Sequence, residues 1–265
     1  MISNIVIVCP INHWEQCQFL LNSIDRHLKD FNVYLIDNTV IPSLPTYNLR
    51  NNKLTQLVWS DIVPTRKLAC KKSEDGWIVQ QLIKLAVHTL FENESYVCLD
   101  TKNIILSSLD EWPVDTFASI PPSHQSFSKF YNSVCTIFDF APAVIPPQTP
   151  YELDALAVKE LIEYFGGWDQ FQEWFTSFHY PSEFMLYDIW CQKTGRTLPR
   201  TTGAEYKFSK LISFIRLDQF LHFFENREHR KNNTVALIFR AVWEHPDFLR
   251  YRQHRNFSVW LRNSS

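Results

Sequence analysis

SYVCLDTKN, residues 95–103, runs from a short apolar segment straight into charge. Tyr96 to Leu99 is apolar and rich in β-formers, Asp100 stops it, and Ile104-Ile105-Leu106 turns apolar again. A run this short with a sharp polar stop reads as a buried strand. Upstream lies GWIVQQLIKLAVHTLF, with helical spacing from about Gly76 to Phe91. Before it come three more strand-like runs: Asn4 to Cys9, NVYLIDN (32–38) and KLTQLVWS (53–60). Phe19, Leu20 and Ile24 mark a helix from roughly Trp14 to Leu28 between the first two. Strands alternating with helices predict an α/β fold with a mixed, mainly parallel sheet flanked by helices. Ligands of such sheets gather at the carboxyl ends of the strands. Asp37, Asp61 and Asp100 all lie at or just past such ends.

Downstream the pattern loosens. Pro-rich turns surround an expected strand from Ser133 to Phe140, and helices are expected over Glu152–Phe165 and Ser182–Lys193. The tail, 216–262, is aromatic and basic, with helical spacing in LDQFLHFF. There is no internal repeat and no low-complexity linker, so residues 1–265 are expected to form one domain, with a helical extension from about 205.

The bulk composition excludes several classes. The chain is 45% hydrophobic and 15% aromatic, too apolar for disorder. Its formal net charge of -2 gives no global attraction for nucleic acid. Only 5 glycines are present, and they form neither a P-loop nor a G-x-G-x-x-G fingerprint. No G-x-S-x-G elbow or H-E-x-x-H helix occurs. The 6 cysteines form no C-x-x-C pair and several sit inside apolar runs, which predicts a reducing, cytoplasmic compartment. No apolar run reaches the ~18 residues of a membrane span, and the first residues lack a signal-type pattern.

At 100° per residue, Trp77, Gln80, Gln81, Lys84 and His88 fall in an arc of about 100° on the 76–91 helix. Apolar residues fill the rest. Such a stripe fits a solvated face. It also fits a ligand-facing one, in which Trp77 stacks, the amides hydrogen-bond and Lys84 neutralises charge.

The order of these motifs resembles the glycosyltransferases of GT-A fold, and more narrowly a little-characterised bacterial and phage family of glycosyltransferase-like proteins. The matching residues are Gly76, Trp77, Gln80, Gln81, Lys84 and Leu85, then Leu99-Asp100-Thr101-Lys102-Asn103, then SEFMLY at 182–187. The resemblance covers roughly residues 4–200. It implies a GT-A-like sheet, a nucleotide-sugar donor at the strand ends, a glycan or other hydroxyl acceptor, and a place in polysaccharide biosynthesis. Donor contacts would come from Asp37, Trp77, Gln80, Gln81, Lys84, Asp100, Lys102 and Asn103.

One departure stands out. Most GT-A enzymes carry D-x-D here, whose carboxylates hold a divalent metal against the donor diphosphate, whereas this chain has Lys102 in place of the second acid. A unit and a double positive charge at ~5 Å, with an effective dielectric of 20, repel by about 7 kcal/mol before screening. The expectation is therefore no tightly bound metal, with Asp100 the ligand if there is one, and Lys102 as the fixed cation facing phosphate. A buried Asp–Lys pair that merely closes a strand is the alternative.

In HYPSEFMLYDIW, Ser182 reads as an N-cap and Glu183 as a first-turn acid kept ionised by the helix dipole. The resemblance implies that Glu183 lies near the acceptor as a catalytic base, with His179 the other candidate. First-turn acids are also common for the dipole alone. Arg66, Lys67, Lys71 and Lys72 fit a mobile loop closing over a diphosphate or a solvated charge run, and ENREHRKNN (225–233) fits a site for an acidic glycan or a phosphate or a helix C-terminal cap. The expected activity is transfer of a sugar from a nucleotide-sugar to a hydroxyl. A non-catalytic glycan- or nucleotide-binding relative and a nucleotide-sugar hydrolase are the rival readings.

Overall fold

The computed structural model describes residues 2–39, 42–63, 75–101, 103–105, 118–119, 128–141, 150–177, 182–196, 201–202 and 211–213. Five strands form the central sheet: β1 (Asn4–Cys9), β2 (Asn32–Asp37), β3 (Lys53–Val58), β4 (Ser95–Leu99) and β7 (Tyr151–Asp154). They lie in the order β3-β2-β1-β4-β7. The first three ladders are parallel, with Cys9 opposite Asp37 and Ile7 opposite Leu99, and β7 runs antiparallel to β4.

β1 is an unbroken apolar run after Asn4 because both faces of the sheet are covered. Ile5, Ile7 and Cys9 pack with Leu20, Leu21 and Ile24 of helix α1 (Trp14–His27). Val6 and Val8 face the opposite layer, built from α2 (Asp75–Ala86), α4 (Ala155–Tyr164) and α6 (Glu183–Lys193). Each fully buried Leu or Ile side chain contributes about 1.5–3 kcal/mol. The strand-and-helix order read from the first 100 residues matches, with strand ends shifted by a residue or two. The α2 helix stops at Ala86, and a 3-10 turn, Val87–Leu90, completes the expected helix.

Three elements differ from expectation. Residues 133–138 of the expected strand lie in a helix, α3 (Ser128–Phe138). Val134 and Phe138 are both buried, four residues apart on one helical face, and the Phe138 ring centroid sits 5.8 Å from that of Trp190. Asp139, in the left-handed region at φ 46, follows the helix end. The helix expected from 152 divides into β7 and α4, because the Asp154 carboxylate accepts the Ala157 N–H at 2.8 Å and caps the shorter helix. A further helix, α5 (Trp168–Ser177), follows Gly166 and Gly167, whose φ values of 90 and 101 suit only glycine. It buries Phe171 and Phe175.

β5 (Asn103–Ile105) leaves the sheet after Asp100 and pairs antiparallel with β9 (Leu211–Ser213). The Ile105 N–H donates to Ser23 Oγ on α1 at 3.1 Å, holding this turn to the α1 side. β6 (Ala118–Ser119) pairs in parallel with β8 (Thr201–Thr202). Among the described residues no helix is long and apolar enough to cross a membrane. The helical extension expected beyond 205 lies outside the described residues, apart from β9.

Candidate functional site

The sheet order reverses direction between β1 and β4. β1 leads through α1 to β2 on one side, whereas β4 lies on the other side of β1 and is reached through α2. The crevice beyond the carboxyl ends at such a point is where open α/β sheets bind ligands. Asp100 directly follows the end of β4 there.

Three charged side chains from three elements meet at this end. The Lys84 ammonium, on the last turn of α2, donates to Asp100 Oδ1 at 2.9 Å and to Glu183 Oε1 at 3.1 Å. The side chains of Lys84 and Glu183 are 7% and 5% exposed, and that of Asp100 is 27% exposed, so the cluster opens to solvent through Asp100. Lys84 Nζ also lies 4.6 Å from the centroid of the Phe184 ring, a cation–π contact. The Tyr96 hydroxyl donates to the Lys84 carbonyl at 2.9 Å, satisfying one of the last carbonyls of α2.

An amide flanks each carboxylate. Gln81 Oε1 accepts the Glu183 N–H at 3.0 Å. That bond caps α6 in place of Ser182, which sits at the cap position but makes no side-chain bond to the helix. Asn103 Oδ1 accepts the Asp100 N–H at 2.7 Å. The two amides thus hold the backbone of both acidic residues, and the two carboxylates and one ammonium carry a formal net charge of -1.

Burial alone would push the Lys84 ammonium toward neutrality. The Asp100 and Glu183 carboxylates outweigh that and hold its pKa well above the usual lysine range. Burial pushes the Glu183 carboxyl up from its ordinary value, more than Lys84 pulls it down. The expectation that the helix dipole fixes its ionisation is corrected here: desolvation dominates, and the Lys84 ammonium is the group that favours the carboxylate.

The expected stripe on α2 divides. Gln81 and Lys84 are buried, Gln80 is half-buried, and Trp77 is 49% exposed at the start of the helix. Lys84 is thus no free cation on a polar face: two carboxylates already engage it. His88 lies in the following 3-10 turn, with Nδ1 2.9 Å from the Leu85 carbonyl oxygen and the charges of Lys159 and Glu163 nearby. Burial lowers its pKa.

Asp37 is also placed differently from its expected donor-binding role. Its carboxylate accepts the N–H groups of Thr39 at 3.0 Å, Ser43 at 2.6 Å and Leu44 at 3.0 Å, and the Thr39 hydroxyl at 2.6 Å. The Ser43 hydroxyl adds a further bond at 3.0 Å. A carboxylate offers about four lone-pair sites, so Asp37 is saturated by its own loop. Burial alone would raise its pKa, but these donors lower it from the ordinary aspartate value. Lys102, His179, the basic residues of 64–74 and the cluster at 225–233 lie outside the described residues.

Sequence reading found Gln81, Lys84, Asp100, Asn103 and Glu183 as individuals. It missed Phe184 and Tyr96, whose apolar contexts mark them only as core, and it missed the contacts that join the set. The whole cluster lies within residues 1–249, which match a family of unknown function, DUF6492. The chain belongs to that family. No curated protein matches it in sequence.

A divalent metal fits this DUF6492 cluster poorly. Among the described residues no three His, Cys, Asp or Glu side chains are grouped to hold one. The Lys84 ammonium stands between the two carboxylates, where a metal would have to compete with it. At ~4 Å and an effective dielectric of 20, a divalent ion and this ammonium repel by about 8 kcal/mol before screening.

Proposed function

We propose that this chain is a glycosyltransferase of GT-A-like fold that moves a sugar from a nucleotide-sugar donor to a hydroxyl acceptor. The observation that carries the reading is the Lys84-bridged pair of Asp100 and Glu183 at the switch point between β1 and β4. The mixed sheet with an antiparallel β7 beside β4 supports the fold assignment. The motif order around Gly76, Asp100 and Glu183 supports the family resemblance. A cytoplasmic location and a role in polysaccharide synthesis belong to the same proposal.

In this reading Asp100, the exposed member, accepts hydrogen bonds from sugar hydroxyls. Glu183 takes the proton of the acceptor hydroxyl as that oxygen bonds to the anomeric carbon. The bond from the anomeric carbon to the donor phosphate oxygen breaks, and the nucleoside diphosphate or monophosphate leaves with the electron pair. Burial raises the Glu183 pKa above its ordinary value, and the Lys84 ammonium favours the carboxylate. Lys84 orients both carboxylates and is not the counter-charge for phosphate. That charge must come from groups outside this net-negative cluster, with Lys102 the residue that the motif resemblance assigns.

The test is a thermal-shift and turnover panel of nucleotide-sugars, nucleoside diphosphates and CMP. Stabilisation by a nucleotide and cleavage of its sugar donor, faster with an acceptor than with water, is the expected result. Cleavage by water alone marks a hydrolase, and binding without cleavage marks a non-catalytic relative. No response to any nucleotide overturns the donor assignment.

A further inference from the structure

Gln81 and Asn103 are 1% and 0% exposed, and each has its carbonyl oxygen fixed by a backbone N–H of the cluster. Neither oxygen can exchange places with its nitrogen, because only an oxygen accepts those N–H groups. Gln81 Nε2 and Asn103 Nδ2 are buried with no hydrogen-bond partner. Leaving such a donor unmade is costly, so a ligand oxygen that reaches it is favoured. The two stranded donors sit at the two ends of the same chain of contacts, one beside Glu183 and one beside Asp100.

A hydroxyl both donates and accepts. Placed against this cluster, it gives its hydrogen to a carboxylate and takes one from the neighbouring amide. A carboxylate or a fully ionised phosphate ester can only accept, and it would meet two acids and a single, doubly engaged ammonium. We propose that Gln81, Asp100, Asn103 and Glu183 form a subsite for an uncharged polyhydroxyl group, a neutral sugar face with adjacent free hydroxyls, that rejects uronates and phosphates. The inference rests on the glycosyltransferase reading and specifies which sugar class its site takes. Both amide nitrogens are closed off in this state, so the ligand enters as the cluster parts on the Asp100 side.

The experiment uses the full chain and saturation-transfer NMR with methyl glycosides of neutral hexoses, against a methyl hexuronide and methyl phosphate. The expected result is transfer to at least one neutral glycoside and none to the uronide. Asn103→Asp and Gln81→Glu keep the acceptor oxygen that each backbone N–H needs but remove the amide donors. Either folded variant should bind the neutral glycoside about five- to tenfold more weakly, the share of one or two hydrogen bonds. Equal or stronger transfer to the uronide, absence of transfer to every neutral glycoside, or unchanged affinity in both folded variants overturns the subsite. The wild-type comparison alone decides if neither variant folds. Nucleoside diphosphate binding is titrated separately. Glycoside binding without nucleotide binding defeats the donor reading and leaves the subsite standing, and the reverse pattern defeats the subsite alone.

Discussion

Two aspartates lie at the ends of the two strands that flank β1, and they do opposite things. Asp37 closes β2, and Asp100 follows β4. In sequence the two are alike, each an acid after a short apolar strand. Asp37 turns its carboxylate onto Thr39, Ser43 and Leu44, two to seven residues further on. Asp100 instead meets Lys84, sixteen residues back, and through it Glu183. The chain after β2 folds back to the adjacent strand β3, so local donors reach Asp37. At the switch point beside β1 the partners of Asp100 come from distant helices. Local sequence makes the acid, and topology decides whether it serves a loop or a site.

The largest effect that separates the two is expected at Lys84. Lys84→Ala leaves Glu183 and Asp100 without their cation and should cost about 3–5 kcal/mol in denaturant unfolding. Lys84→Met combined with Glu183→Gln should recover much of that loss, since no buried charge is then stranded. A Lys84→Ala protein as stable as the wild type would mean that the cluster is not buried as described. The lysine contribution is fully present below its ordinary pKa and is lost only as pH rises through its raised folded value.

Asp37→Ala should cost less, about 2 kcal/mol, because the loop donors it frees lie close to solvent. The same variant should leave binding at the Asp100 cluster unchanged, and a large loss of ligand affinity would return Asp37 to the site. Smaller still is the pH signature. The Asp37 pKa is lowered, so its stabilisation is present above the ordinary aspartate value and lost as pH falls through the folded one. Glu183 is raised, so its contribution is present below the ordinary glutamate value and lost as pH rises through the folded one. In a stability–pH series, Asp37→Asn should flatten the acid limb, whereas Glu183→Gln should remove a decline at higher pH. The same tilt in both variants would contradict the contrast.

The smallest expected change is at Tyr187, whose hydroxyl accepts the Asp154 N–H at 2.9 Å and so ties α6 to the end of β7. Tyr187→Phe should cost about 1 kcal/mol by thermal or denaturant unfolding, with ligand binding unaffected. A collapse of binding would place this anchor within the site.

The sheet was legible because both faces of β1, β2 and β4 are covered, and covered strands read as short apolar runs with abrupt ends. Residues 133–140 were misread because Val134, Ile137 and Phe138 are strand formers by type, while their spacing of three and four is helical. The break before α4 hinged on Asp154, a cap inside an otherwise helical stretch. In α6, residues 183–191 are all buried, so it has no polar face to betray its orientation. At the site, residue types and strand-end positions were readable. The Lys84–Glu183 contact spans 99 residues of chain and has no local signal. The loop bonds of Asp37 were legible as well, because its short-range partners Thr39 and Ser43 are turn formers.

Turnover of nucleotide-sugars by wild type and Glu183→Gln tests the central claim most directly. The variant keeps the shape of the side chain and the backbone bond to Gln81, and it loses the base. With saturating donor and acceptor it should release nucleotide about 10²–10⁴-fold more slowly than wild type. Nucleotide release at the wild-type rate by the folded variant, or no release by wild type from any donor in the panel, would contradict the account.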